Sequence, residues 1–168
     1  MKQDGAGLSD ADWDCIRGAR DTVNRCLDQA RTAKTLGASL DAKVRIYPVS
    51  ENVKKALSAL KTGTLGTSDL IDSLSCVFIA SDVKLVDSQE AITKECKHSI
   101  VDPTSQEETG IMAGVDKSDG HKCERCWCYD VKVGSVAAHP TLCPRCAGVV
   151  AKMGMAEAPK PISVVSAK

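Results

Sequence analysis

Cys123-Glu124-Arg125-Cys126 and Cys143-Pro144-Arg145-Cys146 form two C-x2-C pairs, separated by residues 127–142. Two residues between ligands let one tight turn aim both sulfurs at a single ion, and this separation of pairs is that of a four-thiolate zinc site. Such a site leaves no open coordination position, so its one Zn2+ is expected to organise structure and not to activate water. A disulfide framework fits less well. The chain has nine cysteines, an odd count, and in a reducing compartment spaced pairs are more often metal ligands. A thioredoxin-like redox centre would need one C-x2-C at a strand-to-helix junction, whereas here two pairs lie in a loop-rich stretch. A segment this short, with few large apolar side chains, cannot fold on hydrophobic burial alone. Zinc binding, worth about 10–16 kcal/mol in finger peptides, supplies the difference.

Around the expected ligands the charge is one-sided. Between His121 and Gly154 stand Lys122, Arg125, Lys132, Arg145 and Lys152, against Glu124 and Asp130. Arg125 and Arg145 hold equivalent places in the two knuckles and would present two guanidinium forks suited to phosphate. Trp127 is a candidate for stacking on a base or for filling the segment's small core. Lys122, Arg125, Trp127, Lys132 and Arg145 are therefore the expected RNA-contacting set. Cys128 is a fifth nearby thiol, placed outside the ligand set because C-x-C suits one tight turn less well than C-x2-C. His121 and His139 flank the cluster as candidate hydrogen-bond donors to it, with neither needed as a ligand.

The totals give no such signal. Lysine plus arginine and aspartate plus glutamate each number 22 in 168 residues, so global charge points to neither nucleic acid nor a membrane surface. Aromatics make up 3%, which argues against a surface stacking several bases. "MKQDGAGLSD" has no basic stretch followed by an apolar run, and no later apolar run reaches the length of a membrane span. A soluble protein of the cytoplasm is expected, with a plastid or mitochondrion as the other compartment. At 43% hydrophobic residues the chain can fill a core.

The elements that must position the cluster are legible upstream. Ser9 with Asp12 three residues later makes a capping box, and Leu8 and Trp13 occupy the positions of a hydrophobic staple. Trp13, Ile16, Ala19, Val23, Leu27 and Ala30 then recur every three or four residues, so a helix about 40 Å long should run to a stop at Gly37. Its arginines and lysines are a solvated face or a phosphate-contacting one. Ala42, Val44 and Ile46 alternate with Lys43, Arg45 and Tyr47 in a half-buried strand ended by Pro48. "SENVKKALSALKTG" reads as a short helix capped by Ser50 and closed by Gly63, and Ser68–Leu74 as another. "CVFIA" and "DVKLV" read as strand. Cys15, Cys26, Cys76 and Cys96 share no short spacing and are expected to be small hydrophobes or inert thiols.

The result is an α+β fold: a long N-terminal helix packed on a small sheet with short helices, followed by a four-cysteine zinc ribbon. From Asp87 to Gly120 acids dominate and periodicity fades, which marks a linker, with strand returning at "IMAGV". The organisation expected is a disordered tail over 1–8, the α+β domain over 9–100, an acidic linker over 101–110, the zinc-finger domain over 111–155, and a disordered tail over 156–168.

"KCERCW" followed by "HPTLCPRC" resembles the C-terminal zinc finger of bacterial-type isoleucyl-tRNA synthetases, a finger shared with formamidopyrimidine-DNA glycosylases. "WDCIRGARDTVNRCLDQARTAKTLGASLDAKVRIY" and "VFIASDVKLV" are similar to the segment of the same synthetases that precedes the finger. The resemblance covers residues 9–86 and 111–150. It implies a module that follows the anticodon-binding bundle and helps engage tRNA, with the catalytic body of the synthetase as a partner. Cys128 stands where that family usually has histidine. The chain has neither a HIGH-like tetrapeptide nor a KMSKS loop, so it is not expected to activate isoleucine by itself. The other function in view is a stand-alone RNA-binding subunit of a ribonucleoprotein derived from this module. "MKQDG" lacks the N-terminal proline nucleophile of the glycosylases, which argues against DNA.

Overall fold

The computed structural model describes residues 8–60, 73–101 and 110–154, and the chain divides into two units at Asp119/Gly120. In the first unit, helix α1 (Asp10–Thr32) starts at the expected capping box: the Asp12 N–H donates to Ser9 Oγ and the Ser9 N–H to Asp12 Oδ2. The Ser9 hydroxyl, which donates to Asp12 Oδ2 at 2.7 Å, and the Ser9 N–H hold the Asp12 carboxyl below the usual carboxylate range. Leu8 and Trp13 both pack at the core's edge. The helix ends earlier than Gly37, because Lys34 adopts φ 57° and its N–H turns back to the Arg31 carbonyl. Its length is about 35 Å.

Strand β1 (Ala42–Pro48) is central. It pairs in parallel with β2 (Asp82–Leu85) and antiparallel with β4 (Ile111–Lys117), and β4 pairs with β3 (His98–Val101), giving the order β2-β1-β4-β3. The alternation in β1 assigns its faces. Ala42, Val44 and Ile46 join Ile16, Val23 and Leu27 of α1, and Val53, Ala56 and Leu57 of α2 (Glu51–Ala59), in the main core. Ser50 caps α2 as its type suggests, accepting from the Asn52 N–H; Gly63 lies outside the described residues.

The other face of β1 is not solvent. Helix α4 (Gln89–Glu95) packs on β1 and β4, with Ile92, Cys96 and Met112 in a second small cluster beside Tyr47. Arg45 is only 4% exposed there; its guanidinium donates to Glu95 at 2.7 Å and to Asp82 at 2.8 Å. The Arg45 hydrogen bond holds the Glu95 carboxyl below its usual range.

Three further expectations change. "CVFIA" is mostly helix: α3 spans Ser73–Phe78, and Ile79 at φ 52° ends it, since a short apolar run cannot by itself separate a buried helix from a strand. Residues 68–72 of the second predicted short helix lie outside the described residues. The acid-rich stretch after Asp87 holds α4 and β3, so only 102–109 of the expected linker is left undescribed. Ile111–Lys117, assigned above to the zinc-finger domain, is an interior strand of the first unit's sheet, pairing Ala42 with Lys117 through Pro48 with Ile111. Local apolarity could not say which unit it serves. The expected tails fall on residues outside the described range, except Leu8. Cys15, Cys26 and Cys96 are buried and Cys76 exposed, none of the four in a disulfide, and burial pushes Cys26 and Cys96 up to about 11. No described helix is long and apolar enough to cross a membrane.

Candidate metal centre

The second unit begins at Gly120, where φ is +89° and an added Cβ would lie 2.4 Å from the Asp130 carbonyl carbon. Only glycine allows that approach. Strands β5 (His121–Lys122) and β6 (Tyr129–Asp130) pair across the first knuckle, and the Trp127 N–H donates to the Cys123 carbonyl at 2.8 Å while the Cys123 N–H donates to Cys128 at 2.9 Å. The second knuckle runs into α5 (Pro144–Lys152), with Cys143 as its N-cap and Pro144 in its first turn. Pro there pre-sets φ without removing a needed donor. The knuckles are tied by the Glu124 N–H to the Thr141 carbonyl, 3.2 Å, and by the Cys143 N–H to Cys123 Sγ, 3.3 Å.

Cys123, Cys126, Cys143 and Cys146 thereby place their four sulfurs within 4.8 Å of one another, Cys126 and Cys143 at 3.9 Å. A tetrahedron with zinc–sulfur bonds of about 2.3 Å has sulfur–sulfur edges of about 3.8 Å. The donor set and its spacing fit one structural zinc ion. Cys123, Cys143 and Cys146 are buried among Leu142, Ala147 and Val150, a core too small to fold the unit unaided. Cys143 at the N-cap and Cys146 in the first turn stand at the positive end of the α5 dipole. Burial works against an anionic Cys126, yet hydrogen bonds from the Cys128 backbone and Arg145 pull it down to about 6; burial pushes Cys143 up to about 12.

Cys128 stays outside the four-sulfur group and donates to the Cys126 carbonyl at 3.7 Å. His121 is exposed on β5. His139 is buried, and its Nδ1 has no partner among the described residues. Beside the backbone donors, the charged side chains at the sulfurs are Arg125 and Arg145. Arg125 Nη1 donates to Cys146 Sγ at 3.7 Å, and the Arg145 guanidinium faces Cys126, whose sulfur favours its charged form although burial opposes it. The C-x-R-C repeat points to both side chains but not to the sulfur that each one meets. Lys122 and Lys132 are exposed. Trp127 is 61% exposed and sits at φ 65°, with Lys122 Nζ 5.1 Å from its ring centroid. A bulky residue in the left-handed region is held there at a cost of about 1–3 kcal/mol. Its ring fills none of the small core.

Residues 120–148 match the zinc finger found in FPG and IleRS. Over 136 residues the chain is 41% identical to the isoleucine–tRNA ligase of Rippkaea orientalis and 40% identical to that of Crocosphaera subtropica, in each case 81% of this chain and 14% of the ligase. The Acaryochloris marina isoleucine–tRNA ligase is 36% identical over 138 residues. The chain thus spans about one-seventh of the length of these curated relatives. The alignments reach well beyond the finger, and they agree with the zinc-finger region at the C-terminus of such ligases.

Proposed function

We propose that the chain is a tRNA-binding module of an isoleucyl-tRNA synthetase, which assists engagement of isoleucine tRNA in the cytoplasm or in an organelle with its own translation. The observation that carries this reading is the 41% identity to an isoleucine–tRNA ligase across 81% of the chain. Its partners are then tRNA and the catalytic body of the synthetase, and the reaction belongs to that body. Lys122 and Lys132 are exposed cations suited to a phosphate backbone, and the Trp127 ring, with Lys122 Nζ 5.1 Å from its centroid, is 61% exposed. Arg125 and Arg145 complete the set with the N–H groups not directed at sulfur.

The test is filter binding of the zinc-loaded full chain to isoleucine tRNA across a salt series. Each phosphate neutralised contributes roughly 0.7–0.9 to the slope of log affinity against log salt. Lys122→Ala with Lys132→Ala should lower that slope by roughly 1.5, and Trp127→Ala should cost about 1–3 kcal/mol of binding. Affinity independent of salt, or indifferent to all three substitutions, refutes the reading. Co-purification with a ribosome-sized particle would instead support the ribonucleoprotein subunit.

A further inference from the structure

Arg125 and Arg145 each immediately precede the second cysteine of their own knuckle, yet each reaches the second cysteine of the other: Arg125 to Cys146, Arg145 to Cys126. Four thiolates around a divalent cation carry a formal charge of minus two. Two guanidinium groups bring the ensemble to zero. We propose that this crossed pair of arginines is the charge-compensating clamp of the zinc site and governs how firmly the ion is held.

A fixed positive charge beside a zinc-bound thiolate offsets the negative charge of the site, and an N–H donated to the sulfur holds that sulfur in place. A charged N–H donor to an anionic acceptor is about twice as strong as a neutral one, and guanidinium is less hydrated than ammonium, which suits it to the half-buried place of Arg145. The crossing adds a mechanical consequence. Each arginine is anchored in the backbone of one knuckle and set against a sulfur of the other, Arg125 by a 3.7 Å hydrogen bond, so neither knuckle can swing open and release its second cysteine without also losing a contact held from across the site. Lys132 provides the contrast: the same charge, in the same unit, exposed and in no described bond to a sulfur.

The measurement is the rate of zinc transfer from the zinc-loaded full chain to 4-(2-pyridylazo)resorcinol, with no RNA present, so its outcome is independent of the tRNA reading. Substitution of residues that support a metal ligand typically costs about 10–100-fold in affinity. Arg125→Met and Arg145→Met should each speed release by about tenfold. Arg125→Lys and Arg145→Lys should restore part of the loss, and Lys132→Met should leave the rate unchanged. In the cobalt(II)-loaded chain the thiolate-to-metal charge-transfer band should move to longer wavelength in the arginine variants only, because a sulfur that loses its N–H donor holds its electrons less tightly. Methionine variants that release zinc at the wild-type rate would overturn the proposal, as would Lys132→Met accelerating release equally. If the methionine variants do not fold, the lysine variants decide: a rate and band identical to wild type would equally overturn it.

Discussion

Gly114→Ala tests how the first unit is packed. Gly114 lies in β4, opposite Arg45 on β1, and a Cβ built there would lie 2.3 Å from Ile92 Cγ2 and 2.9 Å from Cys96 Cβ. Ordinary carbon contacts are roughly 3.5–4.0 Å, so α4 or the strand must give by more than 1 Å. Neither neighbour yields easily, since Ile92 is fully buried and stiff at its branched carbon and Cys96 Cβ is fixed by its backbone. Overpacking of this kind costs up to about 3 kcal/mol, and the reduced freedom of alanine in the unfolded chain returns about 0.4–1 kcal/mol. The expected net loss is about 2 kcal/mol, or on the order of 10 °C in melting temperature. Urea denaturation followed by circular dichroism measures it. Ile92→Ala in the Gly114→Ala background should relieve the clash, so the double variant should lose less than the sum of the singles by about 1 kcal/mol or more. A Gly114→Ala chain as stable as wild type, or strict additivity, refutes the close approach of α4.

Glu95 has its folded-state value lowered by Arg45, so its contribution to stability is complete above the ordinary carboxylate range and is lost as pH falls through the lowered value. Urea midpoints measured from pH 6 down to pH 3 should fall more steeply for wild type than for Arg45→Met, and parallel curves would refute the pairing. Chelating the zinc should abolish amide-exchange protection across 121–152 while leaving β1 and β4 protected; loss in both units, or in neither, would show that the metal does not fold the second unit alone. Cys128→Ser should still bind one zinc per chain with affinity within about twofold of wild type, whereas Cys126→Ser should lose most of it, as read by metal analysis after gel filtration.

Local chemistry was the legible part. Ser9 and Ser50 announced their helices because a cap is decided within three residues, and the two C-x2-C pairs announced a shared ion because ligand spacing is also local. Arg45 stood on the open side of a strand expected to be half-buried, because strand alternation tells two faces apart without telling which is covered, and α4 hides in an acidic stretch with Ile92 as its buried side chain. The place of β4 depends on pairing with residues some seventy positions earlier, and nothing within "IMAGV" records that. The crossing of Arg125 and Arg145 was equally out of reach, since equivalent positions in two turns say nothing about which sulfur each side chain meets.

The position of β4 between β1 and β3 has a temporal consequence. As the chain emerges during synthesis, β1 finds β2 soon after, yet β3 has no strand to join until Ile111–Lys117 has appeared. The first unit therefore waits, with one flank of its central strand bare, for the residues just before the first knuckle. Its rate-limiting step should be this long-range closure, slow by the ordinary dependence of folding speed on the separation of contacting residues. Cutting the chain anywhere in 102–109 would leave the amino-terminal piece with an exposed sticky edge and the other piece with an orphan strand.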